Sequence, residues 1–305
     1  MRIPWPVPVM QAPIGPAATT ELVGAVSATG ALGTLAASWT DPARLREQLQ
    51  RLRSQVAGHC CVNLVLAFDQ RERLEVAIEE GAPMVSFSWG IDATLIARAH
   101  EAGLTVLVQV GSADDGRRAA EAGADLLIAQ GCEAGGHVQG TTPLAELVAG
   151  VKEAGLPVVA AGGIGDAEAV RRALDGGADA VACGTAYLVA HEANVHPHYR
   201  ERLLAAAAAD TVLTNVFDVG WRDAPHRVLR NATLTEGEAG NRPGAGEVVA
   251  MRGGHDIVRY ADAQPTASTE GDIEAMAMYA GTSVDGVKEE AGAAEITRRL
   301  ASLID

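Results

Sequence analysis

The residue best suited to proton chemistry is His137, in the segment Gly131-Cys-Glu-Ala-Gly-Gly-His137-Val-Gln-Gly140. Imidazole is the one side chain that changes charge near neutral pH, and the glycines before it let backbone approach a ligand closely. Three neutral amides accompany it, Asn63, Gln109 and Gln130. Amides offer donors and acceptors without charge, which suits a polar heterocycle. Two glycine-rich segments, Ala161-Gly162-Gly163-Ile164 and Gly184-Thr185, can expose backbone N–H groups to a phosphate. Such a set does little redox chemistry unaided, so a cofactor is expected to carry the difficult step.

The elements that must position these residues follow from a recurring phrase: an amphipathic stretch, a glycine, then a short apolar run. Glu101-Ala-Gly-Leu-Thr-Val-Leu-Val-Gln109 and Glu121-Ala-Gly-Ala-Asp-Leu-Leu-Ile-Ala129 are two instances. Each reads as a helix, a glycine that closes it, and a strand buried on both faces. The stopping glycines Gly30, Gly58, Gly81, Gly103, Gly123, Gly155 and Gly177 stand between 20 and 32 residues apart, the length of one strand–helix unit. With an opening strand near Gln11, eight strands are complete by about residue 183, which predicts a (β/α)8 TIM barrel. Barrel chemistry lies at the C-terminal strand ends, where all the residues above fall.

No Asp, Glu or Lys occurs at those ends, which disfavours metal-dependent hydrolase, enolase-type and Schiff-base chemistry. The only lysines, Lys152 and Lys288, are both read as helical. Loops after the seventh and eighth strands commonly hold a phosphate, and Gly163-x-Gly165 lacks the third glycine of a dinucleotide fingerprint. One phosphate on a flat group points to a mononucleotide such as FMN. Cys132 has no flanking cation and reads as a small filler; no metal site is expected, and His196-Pro-His198 reads as a turn before a helix.

The 305 residues carry 24 Lys and Arg against 39 Asp and Glu, a net charge of −15 that disfavours nucleic acid and anionic membrane as partners. The start, Met1-Arg2-Ile3-Pro4-Trp5, has no long apolar run, so a cytoplasmic protein is expected. The barrel is assigned to residues 1–209 and 265–305, with 210–264 breaking the period as a cap or lid. Helices are expected over 199–209, 270–279 and 284–303. Trp39, Trp89 and Trp221 are candidates to line a pocket.

The segments Val9-Met-Gln-Ala-Pro13, Val108-Gln109-Val110, the loop ending at His137, Ala161-Gly-Gly-Ile164, Gly184-Thr185 and Tyr279-Ala-Gly281 resemble the nitronate monooxygenase family. FMN-dependent enoyl-acyl-carrier-protein and quinone reductases are similar. The resemblance implies that Ala12, Pro13, Asn63, Gln109 and Gln130 surround the flavin, together with Gly136 and Ala161. It implies that Gly162, Gly163, Gly184 and Thr185 hold the phosphate, that Tyr279, Gly281 and Ser283 close the far side, and that His137 faces the substrate. The implied activity is oxidation of alkyl nitronates, or of nitroalkanes, by O2 to a carbonyl compound and nitrite. The alternatives are an NAD(P)H-dependent reductase and, lower, a non-catalytic flavin-binding protein. Oligomeric state is not specified by these features.

Overall fold

The computed structural model describes residues 3–55 and 59–304, so the expected helix stop at Gly58 lies outside the described residues. Eight parallel strands form the barrel: β1 (Val9–Gln11), β2 (Gly33–Ala36), β3 (Cys60–Val65), β4 (Met84–Ser88), β5 (Thr105–Val110), β6 (Leu126–Gln130), β8 (Val158–Ala161) and β9 (Ala180–Cys183). Their order around the sheet is β1-β9-β8-β6-β5-β4-β3-β2, and Gln11 N–H donating to Leu32 O (2.8 Å) and Leu32 N–H to Val9 O (2.9 Å) join the two edges. Closure leaves no sheet edge for the parallel strands to expose. The (β/α)8 barrel expected from the glycine period is thus the fold.

Helices α1 (Thr20–Ser27), α2 (Pro42–Gln55), α3 (Arg71–Glu79), α4 (Ala93–Glu101), α5 (Ala113–Glu121), α6 (Leu144–Val151) and α7 (Ala167–Asp175) alternate with the strands. Several begin with a side-chain cap: Thr19, Asp92, Ser112 and Asp166 each accept a hydrogen bond from a backbone N–H of the first turn. At the other end, Gly103 sits in the left-handed region at φ 81°, as a residue that turns the chain from helix into strand must. The short α8 (Thr185–Leu188) and α9 (Pro197–Ala205) follow the last strand, and α9 ends before the expected residue 209. His196 caps α9 by accepting from His198 N–H, which matches the turn read from His196-Pro-His198.

Strand alternation divides the packing into two cores. Outward residues such as Val62, Phe87 and Val108 pack on the helices. Inward residues Met10, Leu32, Cys61, Met84, Leu107 and Ile128 fill the lower lumen above the buried Trp5. The next inward positions toward the C-terminal ends are Thr34, Asn63, Ser86, Gln109 and Gln130. The lumen therefore changes from apolar to neutral polar as it opens.

Two small antiparallel sheets lie beyond the barrel. β7 (Gly136–His137) pairs with β11 (His226–Leu229), which pairs with β10 (Thr211–Thr214). β12 (Val248–Arg252) pairs with β13 (His255–Val258) and with β14 (Thr269–Gly271); α10 (Ala232–Glu238) lies between the sheets in sequence. The helix expected over 270–279 does not form. Thr269 to Gly271 pair with β12, a 3-10 turn spans Ile273–Ala275, and the chain then runs extended beside β11, with Leu229 N–H donating to Met278 O (2.8 Å). Ala275, Met276, Ala277 and Met278 are all buried, so the apolar run is covered on every side rather than along one helical stripe. Of the stretch 284–303 only α11 (Ala293–Leu300) is α-helical, and Lys288 is exposed outside any helix. Lys152 lies in a 3-10 turn after α6 and pairs with Asp179 at the surface. Among the described residues no helix is long and apolar enough to cross a membrane.

The loop carrying His137 returns to the barrel where Gly140 meets Gly111, so closely that a Cβ on Gly140 would lie 2.3 Å from Gly111 O. Gly140→Ala is expected to lose about 1–3 kcal/mol of stability in urea unfolding through this overpacking. A variant as stable as the parent would show that the two backbones do not meet.

Candidate active site

The loop after β6 is held over the barrel mouth by amides. Gln130 Nε2 donates to His137 O (3.1 Å) and its Oε1 accepts from Gln139 N–H (2.9 Å). Gln139 Oε1 in turn accepts from Gln109 Nε2 and from Trp89 N–H, both at 3.1 Å. Thus Gln109 and Gln130, expected beside a cofactor, also fix the height of His137. Gln139 was not among the expected residues; its signal is that residues 137 and 139 share one side of an extended chain. Arg227 adds a clamp, donating to Cys132 O from Nη2 at 2.8 Å and from Nε at 3.2 Å.

Asn63 lies in the lumen, donating from Nδ2 to Ser86 Oγ (3.0 Å) and Ser86 O (3.3 Å). Ser86 was missed in the sequence, although polar residues alternating through Met84-Val-Ser-Phe-Ser88 mark one face of a strand. Ala12, Ala161 and Gly184 extend the lumen face with little or no side chain. Pro13 follows β1, and Gly136 pairs with Arg227 in the small sheet.

A second group gathers at one corner. Gly281 N–H donates to Thr185 Oγ1 (3.0 Å), and a Cβ on Gly163 would meet Glu133 Cβ at 3.2 Å and Thr282 Oγ1 at 3.3 Å. Ser283 is buried, and its carbonyl oxygen comes within 2.2 Å of where a Cβ on Gly165 would stand. Gly162 and Gly163 both have positive φ, 114° and 71°. The N-terminus of α7 is taken by Asp166, which accepts from Ala169 N–H (2.7 Å), so backbone at 162–163 and 184–185 is what remains to meet an anion. Tyr279 stands apart from this corner: its ring is 5.6 Å from that of His137, and its hydroxyl donates to Asp262 O (2.7 Å).

His137 is enclosed by rings. Trp221 stacks on it at 4.4 Å and 29°, Trp89 meets it edge-on at 6.2 Å, and His226 lies 5.4 Å away. Nε2 of His137 is buried with no hydrogen-bond partner. Burial, with a smaller push from His226, lowers its pKa to about 3, because the charged form loses its water and nothing anionic replaces it. His226 is fixed as a neutral ring: Nε2 accepts from Phe217 N–H (3.2 Å), so Nδ1 carries the proton and donates to Ala224 O (2.9 Å). Asp262, missed in the sequence, is raised to about 6 by burial. The Cys132 thiol is pushed up by burial and by Glu133 against an opposing pull from Arg227, a cation that the local sequence does not show.

The geometry defines a barrel enzyme with one uncharged imidazole above a neutral lumen. The sequence pattern of the nitronate monooxygenase family matches residues 3–71 and 61–302, and the chain belongs to that family, whose members are oxidoreductases. It is 36% identical over 239 residues to a 5-hydroxy-7a-methyl-1-oxo-octahydro-1H-indene-4-carboxyl-CoA dehydrogenase of Mycobacterium tuberculosis, a match covering 77% of this chain and 66% of that protein. It is 32% identical over 277 residues to a nitronate monooxygenase of Pseudomonas aeruginosa, covering 74% and 78%. Its fold matches the solved structure of a FabK mutant from Thermotoga maritima with a TM-score of 0.82 and 30% identity, covering 98% and 92%.

The depressed His137 pKa sets a pH dependence. Between pH 6.5 and about 3 the unfolded chain binds a proton at this residue that the folded chain refuses. Stability from this source is therefore fully present above pH 6.5 and is lost as pH falls through that window. Urea midpoints of the parent are expected to fall more steeply there than those of His137→Asn. Equal slopes would mean that the imidazole is not held neutral.

Proposed function

We propose that the protein is an FMN-dependent monooxygenase of alkyl nitronates, using O2 and releasing a carbonyl compound and nitrite. The observation that carries this reading is the buried, partnerless Nε2 of His137 at the mouth of a lumen without ionised groups. The residues fit a flavin. Thr34 Oγ1 is a second buried polar atom without a partner, and Ala12, Ala161, Gly163 and Gly184 leave space where longer side chains would intrude.

In this reading Ala12, Pro13, Asn63 and Ala161 lie against the ring system, while Gln109, Gln130 and Gly136 border it. The phosphate falls to the backbone at Gly162, Gly163, Gly184 and Thr185, with Gly281 and Ser283 completing the wall, while Tyr279 lies beside His137. FMN, when bound, supplies the oxidising chemistry and the route for electrons to O2. The protein's part is to bind and orient the anion. An anionic nitronate gives the imidazole the counter-charge it lacks, so binding would draw a proton onto His137 and exchange an orphaned nitrogen for a charge-assisted hydrogen bond. With a pKa near 3 when the site is empty, His137 is a poor base toward a neutral nitroalkane, which favours the preformed anion as substrate. The cap, residues 210–264, contributes Trp221 as a cover that keeps water from this ion pair. An NAD(P)H-dependent reductase is the second reading, favoured by the likeness to FabK over 98% of the chain.

Anaerobic mixing of the purified flavoprotein with ethyl nitronate, NADH and NADPH separates the two: bleaching by nitronate alone is expected, and bleaching by a nicotinamide alone would replace this reading by the reductase. His137→Asn is expected to lower kcat/KM for nitronate by about ten- to a hundredfold, the worth of a hydrogen bond to a charged group. A loss of about 10²–10⁴-fold confined to neutral nitroalkanes would instead make His137 the base.

For the phosphate corner the cleaner variant is Gly184→Ala. Gly184 has an ordinary φ of −105°, and an added Cβ would sit 3.4 Å from Ile14 Cγ2 and 3.7 Å from Ala12 Cβ. The protein should fold normally and copurify with much less FMN. Full flavin content, or FAD on release, would place the cofactor otherwise.

A further inference from the structure

The aromatic enclosure of His137 continues outward beyond what a small nitronate needs. Trp221, which stacks on His137, also meets Phe68 edge-on at 5.3 Å and Trp39 at 6.1 Å, and Phe68 meets Trp39 at 5.8 Å. Trp39 follows β2, Phe68 follows β3, and Trp221 comes from the cap, so three separate segments contribute to one run at the barrel mouth. The run is unused by the fold at its outer end: Trp39 is 60% exposed and Phe68 38% exposed. Trp89, which touches Trp221 at 4.7 Å, is held at φ 58°, a conformation that large side chains rarely adopt. Its N–H donates to Gln139, the residue that also anchors the His137 loop.

Large rings left in water and continuous with a reactive group are a binding feature rather than a packing one. We infer that the substrate carries an extended apolar tail, which leaves the anionic head at His137 and lies along Trp221, Phe68 and Trp39. The inference rests on the reading of His137 as the anion-binding group, and it adds the substrate class: a nitronate with an alkyl tail of several carbons in place of a short one. A methylene moved from water onto such a surface contributes up to about 0.8 kcal/mol, so even partial burial of a few makes affinity depend strongly on length.

The test uses straight-chain carboxylates, which present an anionic head to the imidazole and are not oxidised. Quenching of tryptophan fluorescence in the purified flavoprotein is titrated with acetate and octanoate, in the parent, Trp39→Ala and Phe68→Ala. Octanoate is expected to bind at least about tenfold more tightly than acetate in the parent, and each substitution should reduce that ratio severalfold. In turnover, the ratio of kcat/KM for octyl over ethyl nitronate should fall in parallel. Equal affinities in the parent, absence of octanoate binding, or a ratio unchanged in both variants would overturn the inference. So would a change in sedimentation of Trp39→Ala with the octanoate ratio intact, since a second copy of the chain would then be what covers the rings. A strong octanoate preference without any nitronate oxidation would refute the proposed reaction while leaving the tail site standing.

Discussion

An imidazole kept neutral inside the mouth of a barrel is the constraint on which the rest of this site depends. Burial lowers the affinity of His137 for a proton, the second histidine, His226, opposes that proton further, and the nitrogens of His226 are themselves spent on Phe217 and Ala224. A carboxylate within reach would charge the ring and, in the proposed reading, remove its need for an external anion. The charged Arg227 holds the loop farther back, at Cys132 O, while next to the ring the loop is fastened by uncharged groups. Gln109, Gln130 and Gln139 do this with four hydrogen bonds among side chains and backbone, and the backbone contact of Gly111 with Gly140 fixes the far end. Neutral amides satisfy buried polar atoms without placing a net charge beside the imidazole.

The barrel serves that arrangement by its layering. Its lower lumen is filled by apolar side chains, which gives the neutral upper layer a rigid floor. Asn63 and Ser86 satisfy each other across adjacent strands, whereas the Thr34 hydroxyl in the same layer is left without a partner. The enclosure is completed from a distance in sequence: Trp221 and His226 reach His137 across some eighty to ninety residues of chain, because β11 pairs with β7. One short strand pairing thus decides both the ring stacked on His137 and the shape of the entrance.

Much of this was legible residue by residue. Stopping glycines and apolar runs are local signals, and they sufficed for the eight units and for placing Asn63, Gln109, Gln130 and Gly163 at strand ends. The three tryptophans proposed as pocket walls do meet at the mouth, with Phe68 added by the structure. The errors share a cause. Residues 270–279 look helical because their apolar content is high, yet they run extended and buried beside β11. Ser86 and Gln139 looked ordinary because an amide or hydroxyl gains a role only from the partner that faces it.

By itself the sequence determined the period of the barrel, the absence of carboxylates and lysine from the strand ends, and the identity of the one histidine in the loop after β6. These depend on backbone geometry and on residue type, which neighbours in the chain specify. The tertiary structure alone decided that this histidine is uncharged, that Gln139 anchors it, and that Trp221 covers it. Burial, proton affinity and ring stacking are set by groups brought together from distant parts of the chain, and a pairing such as His137 with His226 leaves no mark on either local sequence.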